Sequence, residues 1–167
     1  KDAARIDNLG DMEMICCGAN RVSWGNRFYA ILKAKDGTFY SYTFDMGDTF
    51  FGRSPDVEKV EQKELPATTQ TTLSSIINGS SKNLFKVGYA NTEYMSGSVN
   101  NKQLLDYVLI TKDNELYLLE RKSGDIILYD SFDATITSID TEVYNAWIAG
   151  IGLENGEFHI MEMTNAG

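Results

Sequence analysis

Residues 107–130, YVLITKDNELYLLERKSGDIILYD, contain three short apolar runs that are separated by two polar turns. The runs are rich in β-branched and aromatic side chains, which favour strands, while Asp113-Asn114 and Ser123-Gly124 favour turns. Because the turns are short, consecutive strands have to lie side by side and antiparallel. This stretch therefore predicts a three-stranded antiparallel meander.

A similar unit recurs along the chain. It consists of a short apolar run, then a tight polar turn, and then a large apolar residue that is directly followed by a residue with an aromatic ring. Its leading residues, Phe39, Leu84, Leu116 and Phe158, are separated by 45, 32 and 42 positions. Repeats of about 40–45 residues with several strands each are typical of β-propeller blades. We therefore predict an all-β fold of antiparallel meanders arranged as propeller blades, with hairpins near 28–44, 73–89, 105–130 and 147–164. A β-sandwich is the alternative if the repeat is coincidental.

Turn chemistry locates the hairpins. Asp36-Gly37 and Asn155-Gly156 are predicted to form two-residue turns with positive φ at both positions, and Asn78-Gly79 is predicted to open a longer turn. The threonine-rich residues 66–72 are predicted to form a connector. Residues 73–77 are predicted to form one turn of helix at most.

The length of 167 residues has room for about four blades, whereas most propellers have more. We treat residues 1–167 as a single propeller-like domain or as a fragment of a larger one. An incomplete propeller leaves strand edges open, so we expect flanking blades or a partner chain to cap them.

Residues 114–130, NELYLLERKSGDIILYD, resemble the blade repeat of quinoprotein-type and tryptophan-aspartate-type propellers. In that repeat, a Ser/Thr-Gly-Asp/Lys turn leads into the outer strand. The composition, rich in Asn, Thr, Tyr and Lys, is similar to that of C-terminal propeller regions of Bacteroidetes surface lipoproteins with polycystic-kidney-disease-like modules. This second resemblance implies an extracellular or bacterial cell-surface location.

Charge and composition disfavour several classes of function. The chain has 24 acidic and 15 basic residues, a net charge of −9, and its basic residues form no run, so no nucleic-acid partner is expected. No stretch reaches the roughly 18 apolar residues of a membrane-spanning segment. With one histidine and an adjacent Cys16-Cys17 pair, we expect no metal site, no cofactor and no disulfide between the two thiols. One cysteine is predicted to be buried and the other half exposed.

Candidate catalytic groups are few. His159 lies in a predicted strand, where a packing role explains it. Asp106 directly precedes a predicted inner strand that begins at Tyr107, and Asp140 and Glu142 lie in the predicted loop before Trp147. Paired carboxylates at the start of inner strands support a propeller-type glycoside hydrolase as one alternative.

The default prediction is a non-catalytic binding or scaffolding module that presents loops to a glycan or a protein partner. Trp24, Tyr94 and Tyr144 lie in polar connectors, where their rings would stack on the faces of sugars. A purely structural protein–protein interaction module is the remaining alternative.

Overall fold

The structure is a computed structural model, and it describes residues 9–22, 25–45, 59–79, 83–88, 107–121, 123–143 and 147–163. The chain divides into two compact units, residues 1–65 and residues 66–167. From the sequence we expected a single domain over the whole chain, with no boundary between Leu65 and Pro66.

Unit 1 contains a four-stranded antiparallel meander, sheet 1, in which each strand pairs with the next one along the chain. Successive side chains of a strand point to opposite faces, so Ala30, Leu32, Tyr42 and Phe44 share one face and form a buried cluster. The rings of Tyr42 and Phe44 stack with their centroids 5.8 Å apart. The strands are β1 Met12–Val22, β2 Gly25–Ala34, β3 Phe39–Asp45 and β4 Lys59–Glu64.

Unit 2 contains a helix and two antiparallel sheets. Sheet 2 is again a four-stranded meander, and sheet 3 is a three-stranded one in the described residues. The two sheets share one buried core, to which Leu109 and Leu118 contribute from sheet 2 and Ile136 and Ile151 from sheet 3. The elements are α1 Ala67–Gly79, β5 Phe85–Gly88, β6 Tyr107–Lys112, β7 Glu115–Glu120, β8 Ile126–Ser131, β9 Ile136–Val143, β10 Trp147–Leu153 and β11 Phe158–Met163.

The predicted antiparallel meanders are confirmed. The fold is mainly β, and its described strands form three separate sheets without closing into a ring. The meander predicted from residues 107–130 corresponds to β6, β7 and β8, paired in that order.

Helix α1 contradicts the sequence analysis, which predicted a connector over 66–72 and the start of a hairpin over 73–89. Its buried residues, Thr69, Leu73 and Ile76, recur at spacings of four and three, which is the period of one helix face. The pair Asn78-Gly79, predicted as a turn, ends this helix. The prediction failed because three apolar-facing positions, one of them a threonine, are too few to stand out from a polar stretch.

The threonines of α1 are compatible with a helix because their hydroxyls have local partners. Thr71 and Thr72 donate to the carbonyls of Ala67 and Thr68, each at 3.0 Å. At the other end, the Asn83 amide donates to the Ile76 carbonyl at 3.1 Å and satisfies one of the groups that a helix end leaves open.

The hairpins at Asp36-Gly37 and Asn155-Gly156 are confirmed, but their turn type differs from the prediction. In each turn only the glycine has positive φ, 90° for Gly37 and 88° for Gly156. Each glycine N–H donates to the carbonyl three residues earlier, and the preceding Asp36 or Asn155 side chain accepts a hydrogen bond from the N–H two residues later. Both are three-residue turns that end in a left-handed glycine.

The fourfold repeat is wrong in its second copy. Phe39, Leu116 and Phe158 lie at the start of β3, β7 and β11, which follow the second strand of their sheets, whereas Leu84 directly precedes β5, the first strand of sheet 2. Leu84 therefore does not have the position in its sheet that the other three residues share.

Candidate binding face on sheet 3

Sheet 3 has one face in the core and one face open to solvent. Ala149, Ile151 and Leu153 of the central strand β10 are buried against sheet 2. Because side chains alternate, Gly150 and Gly152 belong to the opposite face. We call that face the outer face of sheet 3. Its described residues are Ser138 and Asp140 on β9, Gly150 and Gly152 on β10, and Phe158 and Ile160 on β11.

The centre of the outer face is a trough at Gly150 and Gly152, two positions of the middle strand that have no side chain. Gly152 lies opposite Ser138 on one side and opposite Phe158 on the other. A Cβ atom on Gly152 would collide with the Ser138 hydroxyl, and one on Gly150 would lie 3.0 Å from Cζ of the Phe158 ring. Both glycines therefore provide space into which neighbouring side chains lean.

One wall of the trough is apolar and exposed. Phe158 has 66% of its surface exposed and Ile160 has 72%, more than Met14 at 61% or any other large hydrophobic residue in the described part of the chain. They lie two positions apart on β11, so they are neighbours on the same face. Exposed apolar side chains are common when scattered, whereas these two form an adjacent pair.

The other wall is polar and carries an ion pair. Lys86 Nζ of β5 lies 2.6 Å from Oδ1 of Asp140, and the Thr141 N–H donates to the same carboxylate at 2.9 Å. The Lys86 hydrogen bond, followed by that of Thr141, lowers the pKa of Asp140 below its ordinary value. Asp140 is thus an exposed, ionised acceptor.

The charge of this region was missed by the sequence analysis. Residues 123–167 contain eight acidic residues and no lysine or arginine, so nearly all of the net charge of −9 comes from this part of the chain. The total charge does not reveal this acidic segment, but the order of the charged residues does, because all 15 basic side chains lie in residues 1–122. Sheet 3 lies entirely within the acidic segment.

His159 lies on β11 and alternates with the exposed pair. The side chain is half buried. Its ring packs edge-on against the Phe132 ring, with the two ring centroids 5.1 Å apart. Its Nε2 atom lies 3.4 Å from Oε2 of the exposed Glu157. This agrees with the packing role predicted for it.

Most of the residues that the sequence analysis named as sites lie outside the described residues. They are the aromatic residues Trp24, Tyr94 and Tyr144 and the carboxylate Asp106. Asp140 and Glu142 were predicted in a loop but lie within β9, because Ile136–Val143 continues as a strand paired with β10. The side chain of Glu142 is not among those described.

The described residues contain no cluster of three or more histidine, cysteine or carboxylate side chains that could hold a metal ion. Among the same residues, no helix has the length and apolarity needed to cross a membrane. Comparison of the chain with protein-family models, curated proteins and solved structures finds no match.

Proposed function

We propose that the chain is a non-catalytic binding module that docks a polypeptide partner on the outer face of sheet 3. The observation that carries this proposal is the pair Phe158 and Ile160, the most exposed large apolar residues of the described chain, beside a floor of glycine. A partner that covered both side chains would remove exposed apolar surface from water.

A polypeptide fits this face better than a glycan does. Sugar faces stack on flat rings, and the only ring among the described residues of the outer face is Phe158. Ile160, its neighbour, is aliphatic and offers no flat surface, whereas apolar protein side chains pack well against both. A glycan is therefore an outcome of the test and not the favoured ligand.

Hydrolysis of glycosides is less well supported than binding. Such enzymes need a protonated carboxyl group near neutral pH, usually a buried one with a raised pKa. Of the candidate carboxylates, Asp140 is the one whose side chain is described. It is exposed and forms an ion pair with Lys86, and its pKa is lowered. These properties favour an acceptor or ion-pair role.

We infer, as the architecture behind this function, that the meanders are blades of the propeller type. Two features of unit 2 support the inference. Sheets 2 and 3 pack through a common apolar core, and their first strands, β5 and β9, are joined by the Lys86–Asp140 ion pair. First strands of successive blades are neighbours around a propeller axis.

The binding proposal is tested by selecting peptides from a random displayed library on the immobilised full-length chain. Selected peptides are then measured against Phe158→Ser, Ile160→Ser and, as a matched control, Val60→Ser on β4, where Val60 is also exposed. We expect the two β11 variants to weaken binding by about tenfold or more, as central contacts of an interface do, and the Val60 variant to bind like the wild type. Thermal unfolding checks that all three fold.

Two results would contradict the proposal. One is a selection that enriches no peptide, or enriches only peptides that bind both β11 variants like the wild type. The other is a glycan array in which a sugar binds the wild type and loses affinity on Ile160→Ser, because the face would then serve a different class of ligand.

A further inference from the structure

Strand β11 is an edge of sheet 3, since in the described residues it pairs with β10 alone. The Leu153 N–H donates to the Glu157 carbonyl at 2.9 Å. Hydrogen-bonded pairs alternate along an antiparallel ladder, so His159 bonds to β10 and the backbone N–H and C=O groups of Phe158 and Ile160 point to the open edge. These two residues therefore present both apolar side chains and backbone groups that no described strand pairs with.

In the other two sheets, the strand that corresponds to β11 is paired with a further strand. In sheets 1 and 2 a fourth strand, β4 or β8, pairs antiparallel with the third strand, β3 or β7. Strand β11 is the third strand of sheet 3, and it follows the same three-residue glycine turn as β3 does. The place of a fourth strand beside β11 is unfilled among the described strands.

Charge indicates what kind of strand would fit. Strand β11 belongs to the acidic segment 123–167, which has eight acidic residues and no lysine or arginine. A second copy of the chain would bring the same negative charge to the contact, whereas a basic segment would be attracted to it.

We propose that β11 accepts a fourth antiparallel strand from a partner, an extended segment of about six residues that carries lysine or arginine and apolar residues in alternation. Strands β4, β8 and β11 are each six residues long, which sets that length. Strand addition gives affinity through the main chain and specificity through alternate side chains. This inference rests on the proposed docking function and names its partner.

The pairing geometry predicts which backbone atoms of the partner matter. Residues of the added strand that lie opposite Phe158 and Ile160 have their side chains on the same face and their N–H groups directed at β11. Apolar residues occupy those positions because they cover the apolar wall. The lysines alternate with them, so their N–H groups point away from β11.

The test uses a ten-residue peptide of alternating lysine and valine and the full-length chain. One derivative is N-methylated at every valine and a matched derivative at every lysine, and their dissociation constants are compared with that of the parent peptide. Methylation at valine removes donors aimed at β11 and is expected to weaken binding by about tenfold or more, whereas methylation at lysine is expected to change it by less than about threefold. A glutamate–valine peptide is expected to bind more weakly than the parent.

The outcomes separate this inference from the function beneath it. If both methylated peptides bind like the parent while Ile160→Ser still abolishes binding, strand addition is wrong and docking stands. If the lysine–valine peptide does not bind but library peptides bind through Ile160, the basic strand is wrong and docking again stands. If no peptide responds to Ile160→Ser, both proposals fail.

Discussion

Cys16 and Cys17 are neighbours on β1 with opposite surroundings. Cys16 is buried and Cys17 is exposed, and both are free thiols. Burial, which disfavours the thiolate, raises the pKa of Cys16 to about 12. The alternation of a strand predicted this difference from the sequence, although it could not assign the buried position to Cys16.

We predict that iodoacetamide at pH 8 modifies Cys17 and leaves Cys16 unmodified in the folded chain. The thiolate is the reactive species, and burial keeps Cys16 protonated and covered. Intact mass should show one adduct in buffer and two in urea, and Cys17→Ser should show none in buffer and one in urea. Two adducts on the folded wild type would contradict the burial of Cys16.

The same shift predicts how stability depends on pH. The folded-state pKa of Cys16 is raised from an ordinary value of 9.0 to about 12. Its neutral thiol therefore contributes fully below pH 9, and this contribution is lost as the pH rises toward 12, because the unfolded chain releases the proton first. Urea unfolding at pH 8 and pH 10 should show a larger fall for the wild type than for Cys16→Ala.

The residues of the outer face of sheet 3 could be predicted only in part from the sequence. Alternation indicated that Phe158 and Ile160 share a face, but it could not show that this face is the exposed one. That choice depends on which side of β10 meets sheet 2, a contact between strands far apart in the chain. The aromatic residues chosen instead, such as Tyr144, were selected by their polar neighbours in sequence.

Among the elements, helix α1 differs most from the prediction, which was a connector and a hairpin. One buried hydrogen bond attaches this helix to sheet 2. Thr69 lies on the buried face of the helix, and its hydroxyl donates to the carbonyl of Gly124 at 2.6 Å. Gly124 lies in the turn between β7 and β8, where its φ is 81°. The helix is thus attached to a turn of sheet 2 through a buried polar contact.

We predict that Thr69→Val destabilises the chain by about 1–3 kcal/mol, because valine keeps the shape of threonine and leaves a buried carbonyl without its donor. Thr68→Val, at an exposed position of the same helix, is the control and should change the free energy of unfolding by less than about 0.5 kcal/mol. Urea denaturation measures both. Equal effects of the two substitutions would show that the Thr69 bond contributes nothing.

Strands and hairpins were easier to predict than the helix, for a physical reason. The turns at Gly37 and Gly156 are encoded by the glycine and the polar residue directly before it, so a short window of sequence contains the whole signal. A helix on a sheet is decided by tertiary packing, which a short window does not contain.

At the scale of the whole molecule, the repeated strand pattern predicts the meanders, and the distribution of charge identifies the acidic segment. Antiparallel meanders were expected from the strand and turn pattern, with hairpins near 28–44, 73–89, 105–130 and 147–164. The structure confirms the meanders but has helix α1 where the second hairpin was expected to begin. The division into two units after Leu65 was not predicted, because α1 was taken for a connector. The acidic segment 123–167 is visible in the order of the charged residues and not in their total.

The claim that connects these observations is that the outer face and open edge of sheet 3 form the docking surface for a polypeptide. The most direct test follows the backbone amide resonances of the full-length chain while the tightest peptide from the library selection is added. We predict that the largest shifts occur at Phe158, Ile160 and Gly150, and that β2 and β3 of sheet 1 are unaffected. Shifts centred on sheet 1, or on the α1 helix, would contradict the account.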